Sequence, residues 1–116
     1  MYYYGAENKY YSLLNQRMVD NAKIYRIDDS GIAAKAWEIC PTLKANMGTY
    51  HDRVPIVRDS YGIRKLTPHE CLSFQGFPKK YKLPDIPIGQ VYKQIGNTVC
   101  VPVIRRIAEN LYSAFL

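Results

Sequence analysis

Residues 64–78 read RKLTPHECLSFQGFP, and residues 89–103 read GQVYKQIGNTVCVPV. The first stretch carries the clearest helix start in the chain. Thr67 suits the N-cap and Pro68 the first helical position, where its missing N–H costs nothing. Glu70 lies three residues after the cap, which completes a capping box. Gly76 closes this helix after about two turns, and Pro78, Pro84 and Pro87 keep the following chain irregular. In the second stretch a short helix is expected over Gln90 to Gln94. A last helix is expected from around Cys100–Pro102 to the end. Its apolar stripe is Val103, Ile104, Ile107, Ala108, Leu111 and Phe115, with Arg105, Arg106, Glu109 and Asn110 facing away.

Working back toward the N-terminus, Asn8 to Val19 suits a short helix with Tyr10 or Tyr11, Leu14 and Met18 on one side. Lys23–Ile27 alternates as a strand and is closed by the turn residues Asp28, Asp29, Ser30 and Gly31. Cys40 to Ala45 reads as a weaker extended segment, and Asn46 to Arg53, polar and containing Gly48, as a loop. Val54–Arg58 reads as a strand that Pro55 would place at an edge. Asp59–Gly62 then makes a hairpin turn into a partner strand, Ile63–Leu66. A small, mostly antiparallel β region followed by C-terminal helices is an α+β layout. The last helix has a wide apolar face with little to cover it in these residues.

The chain has 116 residues, 47% of them hydrophobic, enough for one modest core. No run approaches the roughly 18 apolar residues of a membrane span. Met1 is followed by Tyr2–Gly5, without the basic and apolar regions of a secretion signal. The three cysteines, Cys40, Cys71 and Cys100, are odd in number and widely spaced. That pattern suits reduced thiols and a cytoplasmic setting. With only His51 and His69 beside them, no metal-ligand spacing appears. Net charge is +6, and it is uneven: +1 over residues 1–50 and +5 over residues 51–116. A basic half suits a polyanion such as nucleic acid, and equally suits a solvated basic face.

The two opening stretches carry a resemblance. Arg64–Glu70 with Gln75–Pro78 resembles the ninth motif of DNA (cytosine-5) methyltransferases, and Gln94–Val103 resembles their tenth. Cys40–Thr49 is similar to the closing segment of their target-recognition domain. Tyr2–Gly5 with Tyr10 and Tyr11 resembles that domain's start in bacterial restriction–modification members. On this likeness residues 1–66 are a recognition-domain portion. Residues 67–88 are the ninth-motif helix and an irregular connection, and residues 89–116 return to the catalytic domain. The helices would thereby complete a Rossmann-like domain.

The resemblance implies double-stranded DNA as partner, S-adenosylmethionine as cofactor and a target cytosine flipped out of the duplex. It also shows what these residues lack. There is no Phe-x-Gly-x-Gly cofactor loop, no Gln-x-Arg-x-Arg and no Pro-Cys nucleophile dipeptide; Cys40–Pro41 has the reverse order. No catalytic residue is therefore assigned. The chain is expected to be inactive alone and to work with an N-terminal catalytic portion or subunit. The alternative is a stand-alone DNA-binding module or an inert gene remnant.

By resemblance Asn97, Thr98 and Val99 contact S-adenosylmethionine, once the catalytic domain is present. As residues alone, Asn97 and Thr98 equally read as a cap opening the final helix. Thr42 matches a threonine beside the flipped nucleotide's phosphate, and a strand threonine is an equal reading. Asn46 and Arg53 fall in the 46–53 loop, where members carry a recognition loop that enters the groove, and Lys44, just before it, is a further DNA-contact candidate. Arginine and asparagine suit bidentate contacts to guanine and adenine there. Arg58, Arg64, Lys65, Lys79, Lys80 and Lys82 are candidates for phosphate contacts, with Arg64 also a structural tie to the recognition domain. An uncovered last helix also predicts self-association.

Overall fold

A computed structural model describes residues 2–28, 31–34, 39–50 and 53–116. Helix α1 (Tyr11–Arg17) precedes the hairpin of β1 (Tyr25–Asp28) and β2 (Gly31–Ala34). A short 3-10 helix spans Ala45–Gly48, and a second hairpin joins β3 (Ile56–Asp59) to β4 (Gly62–Lys65). Three helices follow: α2 (Pro68–Phe74), α3 (Ile88–Gly96) and α4 (Val101–Phe115). The four strands form one antiparallel sheet in the order β2-β1-β3-β4. The architecture is α+β, as the sequence pattern predicts.

The differences from the sequence reading have local causes. β2 was not expected, because Gly-Ile-Ala-Ala has little β propensity; it forms by pairing along β1, from Tyr25 opposite Ala34 to Asp28 opposite Gly31. Of the expected turn between them, Asp29 and Ser30 lie outside the described residues. β3 is an interior strand, not an edge. Pro55 is compatible with that place because it precedes the first ladder residue, and its carbonyl accepts from Leu66 N–H at 2.8 Å. The expected extended segment Cys40–Ala45 joins no strand among the described residues. The expected loop 46–53 begins as the 3-10 helix, because Met47 is drawn into the core. His51 and Asp52 of that loop lie outside the described residues. The opening tyrosines have a structural task as well: Tyr4 N–H donates to Ile63 O, Lys65 N–H donates to Tyr2 O (both 2.9 Å), and Tyr3 bridges Arg64. They cover the outer edge of β4, which would otherwise invite pairing.

Two apolar cores result. Leu14 and Met18, one turn apart on α1 and its C-cap, are buried with Tyr4, Tyr25, Ile27, Ile56 and Ile63. The second core holds Leu43, Met47, Val54, Leu66, Cys71, Leu72, Val91, Tyr92 and Ile95. Arginines tie the elements together. Arg58 Nε donates to Met18 O at 2.8 Å and its Nη2 to Asn15 Oδ1 at 2.9 Å, fastening β3 to α1. Arg64 Nη1 and Nη2 donate to Glu70 Oε2 and Oε1 at 2.9 and 3.0 Å, and its Nε donates to Asp59 Oδ2 at 2.7 Å. The expected capping box is formed: Thr67 N–H donates to Glu70 Oε2 at 2.7 Å, and Glu70 N–H to Thr67 Oγ1 at 3.3 Å. Glu70 therefore caps α2 and holds Arg64 with the same carboxylate.

α2 ends where predicted. Gly76 sits at φ +82°, a left-handed conformation that side chains resist, and a Cβ there would overlap the Pro102 ring. α4 then leaves the body. Val103, Ile104, Ile107 and Leu111 are each about half exposed and Phe115 is 86% exposed, so the stripe is formed but uncovered. The Cα radius of gyration is 16.1 Å, against about 13 Å for a compact domain of this length.

The carboxylates predict the acid stability. The Arg64 hydrogen bond pushes the Asp59 carboxyl down to about 2. Partial burial alone would raise Glu70, but hydrogen bonds from Arg64 and Thr67 outweigh it and hold it below its usual value. Both are depressed below unfolded values near ~4, so their stabilisation is present above about pH 5 and is lost as pH falls toward about 2. Thermal melting followed by circular dichroism should give a flat midpoint from about pH 8 to 5 and a fall below it. Arg64→Leu should lower the plateau and flatten that fall. An equally steep acid limb in the variant would contradict the assignment.

Candidate cofactor and nucleic-acid site

The two sequence stretches meet through α3. Val91, Tyr92 and Ile95, at helical spacing, are buried against Leu43 and Met47. Tyr92 Oη–H donates to Leu66 O at 2.7 Å, joining α3 to the end of β4. Burial pushes the Tyr92 hydroxyl well above its usual range, so it stays a protonated donor. The helix also lies directly on the 44–48 backbone. A Cβ at Gly96 would overlap the Lys44 carbonyl and Ala45 N, and one at Gly48 would overlap Gly89 O. Glycine is needed here for closeness of approach rather than for a turn.

This docking sets the positions of the candidate residues. Pro41, Leu43 and Met47 are buried, whereas Thr42, Lys44 and Asn46 are exposed. The alternation places three of the four candidate DNA contacts on the solvent side of one segment. Arg53 stands apart and half-buried, with Nη1 donating to Ile27 O at 3.4 Å on β1. The geometry thus brings Thr42, Lys44 and Asn46 together and leaves Arg53 tied to the sheet.

Asn97 and Thr98 do not open the final helix. Asn97 is the C-cap of α3, its N–H donating to Lys93 O and Gln94 O at 3.1 Å. Thr98 N–H and Oγ1–H both donate to Ile95 O, at 3.1 and 2.6 Å. The N-cap of α4 is Cys100, and Val101 N–H is taken by Gln75 O at 2.8 Å. These donors close the end of α3, so free N–H groups of a helix start are not what residues 97–98 offer. The sequence Gly-Asn-Thr is as good a helix end as a start, and only the tertiary contacts decide which.

Thr98 and Thr42 nevertheless border one hollow of about 260 Å³, with Cys40, Pro41, Leu43, Phe74 and Gln75. Complete ligand pockets run from roughly 300 to 1,000 Å³ and enclose most of the ligand. This hollow suits one edge of a ligand, with hydroxyls and a carboxamide as polar partners and the remainder held by other residues. Asn97 is exposed and Val99 is 52% exposed, both beside this rim in sequence. Cys40 and Cys71 are not activated: burial pushes their thiols up to about 11 and about 12, whereas a nucleophilic cysteine needs a lowered value. Among the described residues there is no cluster of His, Cys, Asp and Glu that could hold a metal, and no helix is long and apolar enough to cross a membrane.

A larger cleft of about 510 Å³ lies between the second hairpin and α2, bordered by Ile24, Val57, Leu66 and Phe74 and by Arg58, Asp59, Arg64 and Glu70. Its charged groups are spent on one another and on α1. Arg58, a candidate for phosphate contact in the sequence, is a structural tie instead, and Arg64 takes the structural reading that the sequence also offered. The sequence reading missed Tyr3, whose hydroxyl donates to Asp59 Oδ2 at 2.8 Å, and Glu70 as the partner of Arg64. A basic residue and a glutamate six positions apart on separate elements give no periodic signal.

The family of C-5 cytosine-specific DNA methylases matches residues 4–113, and the chain belongs to that family. The relatives it matches are Type II methyltransferases. It is 47% identical to the Type II methyltransferase M.Bsp6I of Bacillus sp. (strain RFL6), over 98% of this chain and 37% of that protein. It is 51% identical to M.NlaX of Neisseria lactamica over 44% of this chain and 16% of that relative. With M.MspI of Moraxella sp it shares 40% identity over 60% of this chain and 18% of the relative. The chain thus spans well under half the length of the curated relatives it matches. No solved structure matches it.

The α3 junction makes its own prediction. Tyr92→Phe keeps the ring and leaves the buried Leu66 carbonyl without this donor. It should cost about 1–3 kcal/mol, read as a lower urea midpoint at unchanged slope. An unchanged midpoint would contradict the joining role.

Proposed function

We propose that these residues act as the C-terminal part of a DNA (cytosine-5-)-methyltransferase of the bacterial restriction–modification type. They contribute part of the DNA-recognition surface and one edge of the S-adenosylmethionine site. The observation that carries this reading is the shared hollow of Thr42 and Thr98, in a chain of this family. In the proposal Thr42, Lys44 and Asn46 meet the DNA, with Arg53 behind them, and Asn97, Thr98 and Val99 meet the cofactor. The cofactor supplies the methyl group. This chain's residues orient it and exclude water along one side.

The nucleophile and the rest of the cofactor site come from an N-terminal catalytic portion or subunit. The uncovered stripe of α4 is where that portion packs, completing a Rossmann-like domain. The division at residues 1–66, 67–88 and 89–116 follows, as recognition portion, connection and return segment. Free thiols at Cys40, Cys71 and Cys100 suit a cytoplasmic setting. Without its other portion the chain is inactive and pairs with itself through α4. A second reading, a DNA-binding module without chemistry, is favoured by the exposed basic residues of the C-terminal half.

Methyl transfer from labelled S-adenosylmethionine to mixed-sequence duplex DNA separates these readings. The chain alone should be silent, and the chain mixed with the N-terminal portion of M.Bsp6I should transfer label. Thr98→Val in the mixture should weaken cofactor binding. Transfer by the chain alone would overturn the proposed division of labour. Silence of the mixture with retained DNA binding would favour the second reading.

A further inference from the structure

The basic excess of residues 51–116 is not all available to a partner. Arg58 is fastened to α1, Arg64 to Asp59 and Glu70, and Arg53 reaches Ile27 O. Of the exposed basic residues that remain, which include Lys93, Arg105 and Arg106, the densest group is the turn after α2, where Lys79, Lys80 and Lys82 occupy three of four consecutive positions.

That turn is built rather than loose. Tyr81 N–H donates to Pro78 O at 2.9 Å, and Phe77 N–H donates to Leu72 O at 3.0 Å. The Phe77 and Tyr81 rings meet edge to face with centroids 5.1 Å apart, and Phe77 packs on the second core. The three ammonium groups are thus carried on an anchored turn. Beside it runs a groove of about 360 Å³, lined by His69, Glu70, Leu72, Ser73, Pro78 and Lys79. Glu70 is the acid in that lining, and it is already paired with Arg64. Asp85 is the next acid along the chain, three residues beyond Lys82. A groove whose lining includes both a lysine and a histidine offers ammonium and imidazole N–H donors to a tetrahedral anion.

We infer that the turn Pro78–Lys82, with His69 in the lining of the groove beside it, is a second contact surface for the phosphodiester backbone of duplex DNA, separate from the Thr42–Asn46 face. The inference rests on the DNA-binding reading above and extends it. Lysine makes point-charge contacts that position a duplex without reading its sequence. The surface therefore adds affinity and register, not base choice. Each backbone phosphate neutralised contributes about 0.9 to the slope of log affinity against log salt.

The test uses the 116-residue chain and a labelled mixed-sequence duplex, with affinity measured by fluorescence anisotropy across a salt series. Lys79→Ala/Lys80→Ala/Lys82→Ala should make the slope shallower by about 2–3 units and lower affinity equally for unrelated sequences. Lys79→Arg/Lys80→Arg/Lys82→Arg should restore the slope. These side chains are exposed, so both variants should keep the parent melting curve. A parent chain that binds, with an alanine variant of unchanged slope, overturns this inference and leaves the DNA-binding reading standing. Absence of binding even at low salt, by the parent chain alone and by its mixture with the N-terminal portion of M.Bsp6I, overturns both. Loss of affinity for one sequence only would also overturn it, because that marks base readout.

Discussion

The structure depends on α3 lying directly on the backbone of residues 44–48. Side chains normally hold a helix away from its neighbour, with axes about 8–10 Å from a partner helix. Here Gly48, Gly89 and Gly96 remove the side chains at the crossing, and main chain meets main chain. With that approach made, Val91, Tyr92 and Ile95 reach Leu43 and Met47 and the second core closes. The Tyr92 hydroxyl then caps the Leu66 carbonyl, where β4 gives way to α2. One crossing thus joins three parts far apart in sequence: the 40–48 segment, the end of the sheet, and the segment that leads to α4.

Around that crossing the charged groups work as fasteners. Glu70 serves two ends at once, capping α2 through Thr67 and holding the guanidinium of Arg64 on β4. A substituent at either end therefore disturbs helix start and sheet edge together. α4 is outside this arrangement. It is well formed as a helix, but its apolar stripe stays about half exposed or more, and most helical stability in proteins comes from burying such a face. The fold is consequently tight around α3 and incomplete in its burial along α4.

Much of this was legible because local rules and tertiary structure agree. Thr67, Pro68 and Glu70 specify a helix start in any context, and Gly76 specifies its end. The Asp59–Gly62 turn has the residues a hairpin uses, and Asp59 indeed accepts from Tyr61 and Gly62 N–H. The stripe on α4 follows from spacing alone. The failures share a cause. β2 exists because β1 offers it a ladder, the interior place of β3 depends on which strand arrives beside it, and the 3-10 helix exists because Met47 is buried. None of these partners is encoded within a window of a few residues. The site shows the same division. Of the residues named by resemblance, Thr42 and Thr98 border one hollow, whereas Asn97 and Val99 adjoin it only in sequence. Asn97 and Thr98, however, end a helix rather than start one, and Arg58 is an internal tie rather than a phosphate contact, whereas Arg64 is the structural tie that the sequence also offered.

The central claim is that the 44–48 segment and α3 move as one unit, so that the candidate DNA face and candidate cofactor segment keep a fixed relation. Amide hydrogen exchange on the parent chain and on Gly96→Ala tests it most directly, because exchange reports local opening. The added methyl should release Met47, Thr49 and Tyr50 together with Asn97 and Thr98, while the β3–β4 ladder keeps its protection. If α3 loses protection and residues 47–50 do not, the two are separate units and the account is wrong.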